Sequence, residues 1–429
     1  MKQGWEIKKL GEVATTFEDG DWIESKDQSP EGIRLIQTGN VGNGFFKDRD
    51  EKARYISEQT FKKLRCTEIF EGDLLVSRLP DPVGRACILP NIDEKMITAV
   101  DCTIIRFNQN HIISKWFLYY SISDAYQSEI QKQVTGATRQ RISRKNLGLV
   151  SIPLPPIPEQ HRIVSILDQC FSAIDKAKAN TEQNLKNTKE LFDSYLQGVF
   201  ENGKGWEEKR LKDIALVFGR GKSKHRPRNW DGLYGGDYPF IQTGEVRNAN
   251  KYILEYTQTY NDVGLAQSKL WKKGTICITI AANIAETAIL GFDACIPDSI
   301  IGLQVDPKKA DLDFTYYLLQ YFKSELQKLG KGSAQDNINL GTFENQYFPF
   351  PSIKEQQLFV RQLDALRVET QKLEAVYQKK IVNLEALRKS VLQKAFSGEL
   401  TEKSRRDDKI IEKIKNELKP TNPEGVTLL

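Results

Sequence analysis

Between residues 159 and 200 the apolar positions fall on one narrow helical stripe. Ile163, Leu167, Cys170, Ile174 and Ala177 recur at alternating steps of four and three, and Leu185, Phe192, Leu196 and Val199 continue the line. The stretch has no proline after Pro158 and no glycine before Gly198. This predicts one helix of roughly 60 Å at 1.5 Å per residue. A stripe that narrow on a helix that long predicts packing along another helix rather than burial all round. The partner is in the same chain, where Leu363, Leu366, Leu373, Val376, Ile381, Leu384, Leu387 and Val391 mark a second long helix. Proline-rich segments precede both helices: Ile152-Pro-Leu-Pro-Pro-Ile-Pro158 before Glu159-Gln160, and Phe348-Pro-Phe-Pro-Ser-Ile-Lys before Glu355-Gln356. Clustered prolines predict an extended connector over Pro153–Pro158. The acidic residue after each connector then opens a helix at its dipole-favoured end.

The repetition runs through the whole chain. Leu167-Asp168 matches Leu363-Asp364 and Phe200 matches Phe396 at one fixed offset. Gly4-Trp5 and Leu10-Gly-Glu-Val-Ala14 return as Gly205-Trp206 and Leu211-Lys-Asp-Ile-Ala215. Ile36-Gln-Thr-Gly39 returns as Ile241-Gln-Thr-Gly244, and Gly136-Ala-Thr-Arg-Gln140 is answered by Gly332-Ser-Ala-Gln-Asp336. Self-similarity of this kind outranks other fold signals and predicts an internal duplication, each copy a globular region followed by a long helix. Within the globular regions, Leu74–Val76, Ala86–Leu89, Thr103–Phe107, Thr275–Ile280 and Ile300–Val305 are short β-prone runs. Helices are predicted over 115–132 and about 313–329. Residues 17–60 and 218–262 align poorly between the copies. A duplicated framework with divergent loops suits a protein that reads two different things with one scaffold.

The balance of 62 basic against 57 acidic residues leaves a net charge of +5. That permits nucleic-acid binding without arguing strongly for it. The six cysteines are scattered without CxxC spacing and read as reduced, buried thiols of a cytoplasmic protein. No apolar run of membrane-spanning length occurs, and Met1-Lys2-Gln3-Gly4-Trp5 does not open a signal peptide. With three histidines, a histidine-rich metal site is not expected.

Catalytic signatures fail. Gly219-Arg-Gly-Lys222-Ser223 imitates the end of a P-loop, but the first glycine that motif needs would be Leu216. No HExxH, GxSxG or strand-borne GxGxxG is present, nor the Asn/Asp-Pro-Pro-Tyr arrangement of an amino-methyltransferase. Asp73 and Asp101 are available as a carboxylate pair, with turn and loop residues as the plainer reading.

Charge patterning says more. Lys132, Arg139, Arg141, Arg144 and Lys145 lie in an acid-free stretch from Ile130 to Pro158. Arg220, Lys222, Lys224, Arg226 and Arg228 lie in another from Ile214 to Trp230. Basic side chains on glycine-containing loops reach phosphates and base edges, with an ordinary solvated loop as the alternative. Polar residues beside glycines are the candidates for base reading: Gln37, Thr38 and Asn40, Ser77 and Arg78, and Thr138, Arg139, Gln140 and Arg141 in the first copy. In the second they are Arg220, Lys222 and Lys224, Gln242 and Thr243, Asn283, and Ser333 and Gln335. Gln and Asn can pair bidentately with adenine, and Arg with guanine. For Gln37 and Gln242 a structural turn shared by both copies competes with DNA contact.

Two Gly-Trp and Leu-Gly-Glu-Val-Ala-type openings, two Pro-Pro-Ile-Pro-Glu-Gln-type connectors and two long helices, in that order twice over, resemble the DNA-specificity subunit of type I restriction-modification systems. Glu190-Leu-Phe-Asp-Ser-Tyr-Leu-Gln-Gly-Val-Phe200 and Leu392-Gln-Lys-Ala-Phe-Ser-Gly-Glu-Leu400 look like that family's helix ends. The resemblance implies an α+β chain of two tandem α/β target recognition domains (1–156 and 204–352) and two long spacer helices (157–203 and 353–399). The helices form an antiparallel coiled coil related by a pseudo-twofold repeat, and a charged tail (400–429) follows. It implies that each domain reads one half of a bipartite double-stranded DNA site, with the helix pair setting the spacer. Two modification subunits that use S-adenosylmethionine to methylate adenine, and restriction subunits that use ATP and Mg, would be the partners. The chain itself would be non-catalytic and hold no cofactor. The loop Lys328–Gln335 is only weakly basic, which departs from the pattern of the first copy. Two other readings stay open: the specificity subunit of a methylation-only assembly, and a coiled-coil adaptor that binds no DNA.

Overall fold

Both proline connectors are half of a two-stranded ribbon. In a computed structural model, which describes residues 3–136, 140–203, 205–224, 230–281, 284–331 and 340–401, Glu6–Lys9 pairs antiparallel with Ser151–Leu154. Glu207–Arg210 pairs in the same way with Tyr347–Phe350. Such a ribbon has a free edge, which is where proline is tolerated in a strand. The first connector is therefore not extended through Pro158. A strand ends at Leu154, and helix begins at Ile157. Pro158 lies in the first turn, where its missing N–H would have had no intrahelical acceptor. The two long helices are Ile157–Glu201 and Ile353–Ser397, each 45 residues.

The described residues belong to two compact units, Met1–Glu182 with Lys379–Leu429, and Gln183–Gln378. The first unit holds a four-stranded antiparallel sheet in the order Ala14–Asp19, Cys102–Phe107, Leu74–Ser77, Ala86–Ile88. Side chains alternate across a sheet with period two. Leu74, Val76, Ile105 and Phe107 accordingly face a core with Trp116, Phe117, Tyr120 and Tyr126. Leu75, Cys87, Cys102 and Ile104 face the other way, onto Ile36, Val41 and Met96. Burial on both faces is why these strands read as continuous apolar runs. The second face is covered by a smaller sheet, Gln28–Ser29, Tyr55–Ile56, Ile33–Ile36 and Met96–Thr98, whose last pair is parallel.

The helix expected over 115–132 is instead two, Ser114–Ser121 and Asp124–Gln131. Ser123 breaks it, because its Oγ accepts the Tyr126 N–H as an N-cap at 3.2 Å. The first unit's core is completed by both long helices. Ile163, Leu167, Cys170 and Ile174 of the first meet Leu384, Val391, Ala395 and Phe396 of the second. They run antiparallel, with Asp175 on Arg388 at 2.6 Å and Lys178 on Glu385 at 2.8 Å. These exposed pairs fix register more than they stabilise, at about 0–1 kcal/mol each.

The second unit repeats the plan. Its main sheet runs Ala215–Arg220, Ile300–Val305, Ile276–Thr279, Thr287–Leu290, Tyr252–Ile253. One face packs on the helix Leu312–Lys331, and the other on Ile241 and Trp271. Its smaller sheet runs Gln258–Tyr260, Tyr234–Phe240, Ala294–Cys295, Leu270–Trp271. The poorly aligning stretches thus share two strands of a trunk whose third is Met96–Thr98 or Ala294–Cys295, and they differ at its margins. Gln28–Ser29 is added in the first unit. In the second, a short helix Thr243–Asn248 and the edge strand Tyr252–Ile253 are added. Within this unit the two long helices again run antiparallel, with the Tyr195 hydroxyl donating to Gln362 Oε1 at 3.2 Å.

Two side chains in each copy tie a long helix to its globular region. Gln160 and Gln356 are fully buried. Gln160 Oε1 accepts from Ile113 N at 2.9 Å, and its Nε2 donates to the carbonyls of His111 and Pro155 at 3.0 and 2.8 Å. Gln356 accepts from Asp311 N and donates to the Pro351 carbonyl, both at 2.8 Å. Just over two turns further along, Asp168 accepts from the Tyr119 hydroxyl and Lys115, and Asp364 from the Tyr317 hydroxyl and Lys251. Among the described residues no helix is both long and apolar enough to cross a membrane.

Candidate nucleic-acid interface

In the first unit the candidate residues collect at one end of the main sheet. Asp19 pairs with Thr103, Ser77 with Cys102 and Val76 with Ala86, so the loops leaving these strands emerge together. Arg85 ties one of them, at Leu79 and Pro82, to the segment that follows Ile33–Ile36 of the smaller sheet. It is 6% exposed. Its Nε donates to the Val41 carbonyl at 2.7 Å and its Nη2 to the Thr38 carbonyl at 2.8 Å, just past and within the Ile-Gln-Thr-Gly turn. Its Nη1 donates to the carbonyls of Leu79 and Pro82 at 2.6 and 3.2 Å. Burial lowers the pKa of this guanidinium. It is held by backbone dipoles, and among the described residues no carboxylate is hydrogen-bonded to it. The Ile142 N–H donates to the Arg78 carbonyl at 3.1 Å, which brings the segment at Arg141 to the same end.

Three of the sequence candidates have structural work here. Ser77 is fully buried, and its hydroxyl donates to the Leu79 carbonyl at 3.2 Å. Arg78 is 5% exposed, donates to the Val100 carbonyl at 2.6 Å and lies 3.4 Å from Asp19. Asn40 is 8% exposed, accepts from Gln37 N and donates to the Lys47 carbonyl, both at 3.0 Å. Buried side chains so engaged have no edge to offer a base, so these three shape the loops rather than present themselves. Gln37 and Thr38 are half-buried, and Gln140 and Arg141 are exposed. Thr138, Arg139, Asn283, Ser333 and Gln335 lie outside the described residues, as do Arg226 and Arg228. Asp73 is taken by Arg106, at 2.8 and 2.6 Å, while Asp101 lies 3.8 Å from Arg78, so the two carboxylates form no pair.

The second unit places Arg220, Lys222 and Lys224 at the equivalent end, all exposed. Arg220 is steadied by two hydrogen bonds to the Asp298 carbonyl, at 2.8 and 2.5 Å. Gln242 is exposed and Thr243 half-buried. The repeated turn has a structural basis in both copies. Gln37 N is capped by Asn40 Oδ1, and Gln242 N by Glu245 Oε2 at 3.2 Å. In the second copy it opens a helix; in the first it does not.

The sequence reading missed the strand exits. Gly20 and Gly221 follow the first main-sheet strand of each unit. A Cβ there would stand 2.4 Å from the Thr98 and Ala99 carbonyl oxygens, or 2.3 Å from those of Ile296 and Pro297. Beyond each glycine the chain carries an exposed tryptophan, Trp22 or Trp230. A glycine repeated at the end of the first strand was the available signal.

The sequence model of the type I restriction modification DNA specificity domain matches residues 2–187 and again 203–382. The chain belongs to this family. Among curated relatives, the EcoBI specificity subunit of Escherichia coli is 23% identical over 86% of this chain and 86% of its own length. The StySPI specificity subunit of Salmonella potsdam is 22% identical over 94% and 90%. Among solved structures, a chain of a type I R-M system studied for complex assembly and conformational transition aligns with a TM-score of 0.74 at 19% identity, covering 92% of this chain and 98% of that one. The HsdS subunit from Thermoanaerobacter tengcongensis aligns with a TM-score of 0.60 at 19% identity, over 93% and 98%. At such identities the structures establish a shared fold. The duplicated frame is thus that of the specificity family.

Proposed function

We propose that this chain is the sequence-specific DNA-recognition subunit of a type I restriction-modification assembly. Each unit reads one half of a bipartite site in duplex DNA through the loops at its sheet end. The observation that carries the reading is a repeated frame bearing different loops: the trunk strands, ribbons and helix locks recur, while the segments just past the repeated turn, Asn40–Lys47 and Glu245–Asn248, differ. Adenine-methylating subunits carry S-adenosylmethionine, and restriction subunits carry the ATP- and Mg-dependent activities. The chain itself contributes recognition and no catalysis. The paired long helices set the spacer between half-sites and dock the methylating subunits, in the cytoplasm.

The test is genome-wide mapping of N6-methyladenine in cells with the gene intact, deleted, or with residues 1–156 exchanged for a foreign recognition domain. Deletion should erase one bipartite motif, and the exchange should change one half of it only. An unchanged pattern in cells that express the chain would refute the recognition role and favour an adaptor.

A further inference from the structure

We infer that the pocket beside the first Ile-Gln-Thr-Gly turn is a phosphate subsite that grips the DNA backbone at the first half-site; this rests on the DNA-recognition reading above. The pocket, about 390 Å³, is lined by Gln37, Asn40, Arg49, Lys52, Ala53 and Arg54. Three cations and no carboxylate line it. The segment that supplies them, Lys47-Asp-Arg-Asp-Glu-Lys-Ala-Arg54, carries three acids, and two of those are drawn away. Arg34, 5% exposed, holds Asp48 and Asp50 at 2.7 Å each, and Glu94 at 3.2 Å. Burial opposes the charge on Arg34, but its hydrogen bonds to these carboxylates prevail and raise its pKa, and Asp48 is correspondingly lowered. Among the described residues, Arg49, Lys52 and Arg54 have no ion-pair partner.

The turn is shaped for the same purpose. Both ends of the Asn40 amide are engaged with backbone, which leaves the Gln37 side chain as the free amide in the pocket. Gly39 lets Arg49 lie on the turn: a Cβ there would stand 2.2 Å from Arg49 Nη1. At the matching Gly244 nothing comes within 4 Å. The cleft beside that turn, about 510 Å³, is lined by Glu245, Glu255, Tyr252 and Tyr256 among others, with no Lys or Arg. The phosphate grip therefore belongs to the first unit. A guanidinium fork suits a phosphodiester geometrically, and such contacts set position on the duplex rather than sequence.

The experiment is equilibrium binding of the full-length chain to a labelled duplex carrying the methylated motif, and to one without it, from about 0.05 to 0.25 M salt. R49Q, K52Q and R54Q should each make the slope of log K against log salt shallower by about 0.9 and weaken binding about three- to tenfold, equally on both duplexes. G39A should reproduce R49Q, because it displaces a flexible guanidinium without strain in the turn. K189Q, an exposed cation on the first long helix, should leave the slope unchanged. Wild-type slope and affinity in R49Q and R54Q would overturn the subsite while leaving recognition standing. So would an equal loss in K189Q. If R49Q abolished calorimetric binding of inorganic phosphate but kept the DNA slope, the site would be one for the free anion, and the backbone contact would be wrong. A wild-type chain that binds neither duplex would overturn the recognition reading along with it.

Discussion

Replacing Arg85 by Met tests whether the first unit's reading surface is held from beneath. Met keeps most of the buried aliphatic volume and removes the charge and all four hydrogen bonds. Those bonds reach Thr38, Val41, Leu79 and Pro82 at 2.6–3.2 Å. At about 1.5–3 kcal/mol for each bond from a charged donor, they contribute about 6–12 kcal/mol. Removing the penalty of burying a guanidinium returns several kcal/mol of that. Some of the freed carbonyls keep a second donor, since Thr38 also accepts from Val41 N, and Pro82 from Arg85 N. The net cost should be about 2–4 kcal/mol, localised to the two loops. Hydrogen exchange reads this directly: amides in 40–46 and 79–85 should exchange roughly 30- to 1000-fold faster, with the second unit unaffected. R85K should fall between, because an ammonium has three donors and no planar fork. In the methylation map, R85M should blur one half-site and leave the other sharp. Loop exchange within about threefold of wild type would refute the reasoning, whatever happened to the global midpoint.

The remaining expectations concern the frame. Q160A and Q356A each remove a fully buried amide and strand the N–H of Ile113 or Asp311, so each should cost about 2–3 kcal/mol in denaturant titration; a loss below about 0.5 kcal/mol would show the lock to be ornamental. The six cysteines are buried, with burial pushing Cys66 and Cys102 up to about 11 and Cys87 to about 12. Ellman's reagent should therefore label none of them in the folded chain at neutral pH, and prompt labelling of any one would contradict the packing. Burial also raises the Asp21 carboxyl above 3.8, against the opposing Thr67 N–H. The folded state then keeps that proton to higher pH than the unfolded chain, so the stability tied to it declines as pH climbs from 3.8 through the raised pKa. D21N should be at least as stable as wild type at pH 7 and lose its relative advantage on acidification; an advantage that grew toward low pH would reverse the sign.

What could be read beforehand was whatever repeats with a period. The long stripes at Ile163–Val199 and Leu363–Val391 announced helices, and the apolar runs at Leu74, Thr103 and Ile300 announced buried strands. The break at Ser123 was not legible, because a serine within a helical pattern signals a cap only once its hydroxyl meets the Tyr126 N–H. Nor was the destination of the matched phenylalanines. Phe396 closes the first unit against Trp116 and Tyr120 at 5.9 and 5.2 Å, while Phe200 closes the second against Phe314 and Tyr321 at 5.5 and 5.0 Å. A stripe gives the face of a helix but not what will cover it. Ser77, Arg78 and Asn40 are, as polar residues near glycines, candidates for base reading, and the structure buries them. Their loops fold over them, and Arg85, an arginine whose hydrogen-bond partners are four carbonyls, is what draws two of those loops together. No local pattern encodes that.

The ribbon that joins Glu6–Lys9 to Ser151–Leu154 fastens the two ends of one globular region to each other. The second ribbon does the same from Glu207 to Phe350. A segment closed in this way is a cassette. Its interior can lengthen, shorten or be replaced by recombination without moving the point where the long helix starts, since both ends meet at one seam. The two seams lie at corresponding places in the two copies. A lineage could thus acquire a new specificity in a single genetic event, with the register of its helices intact.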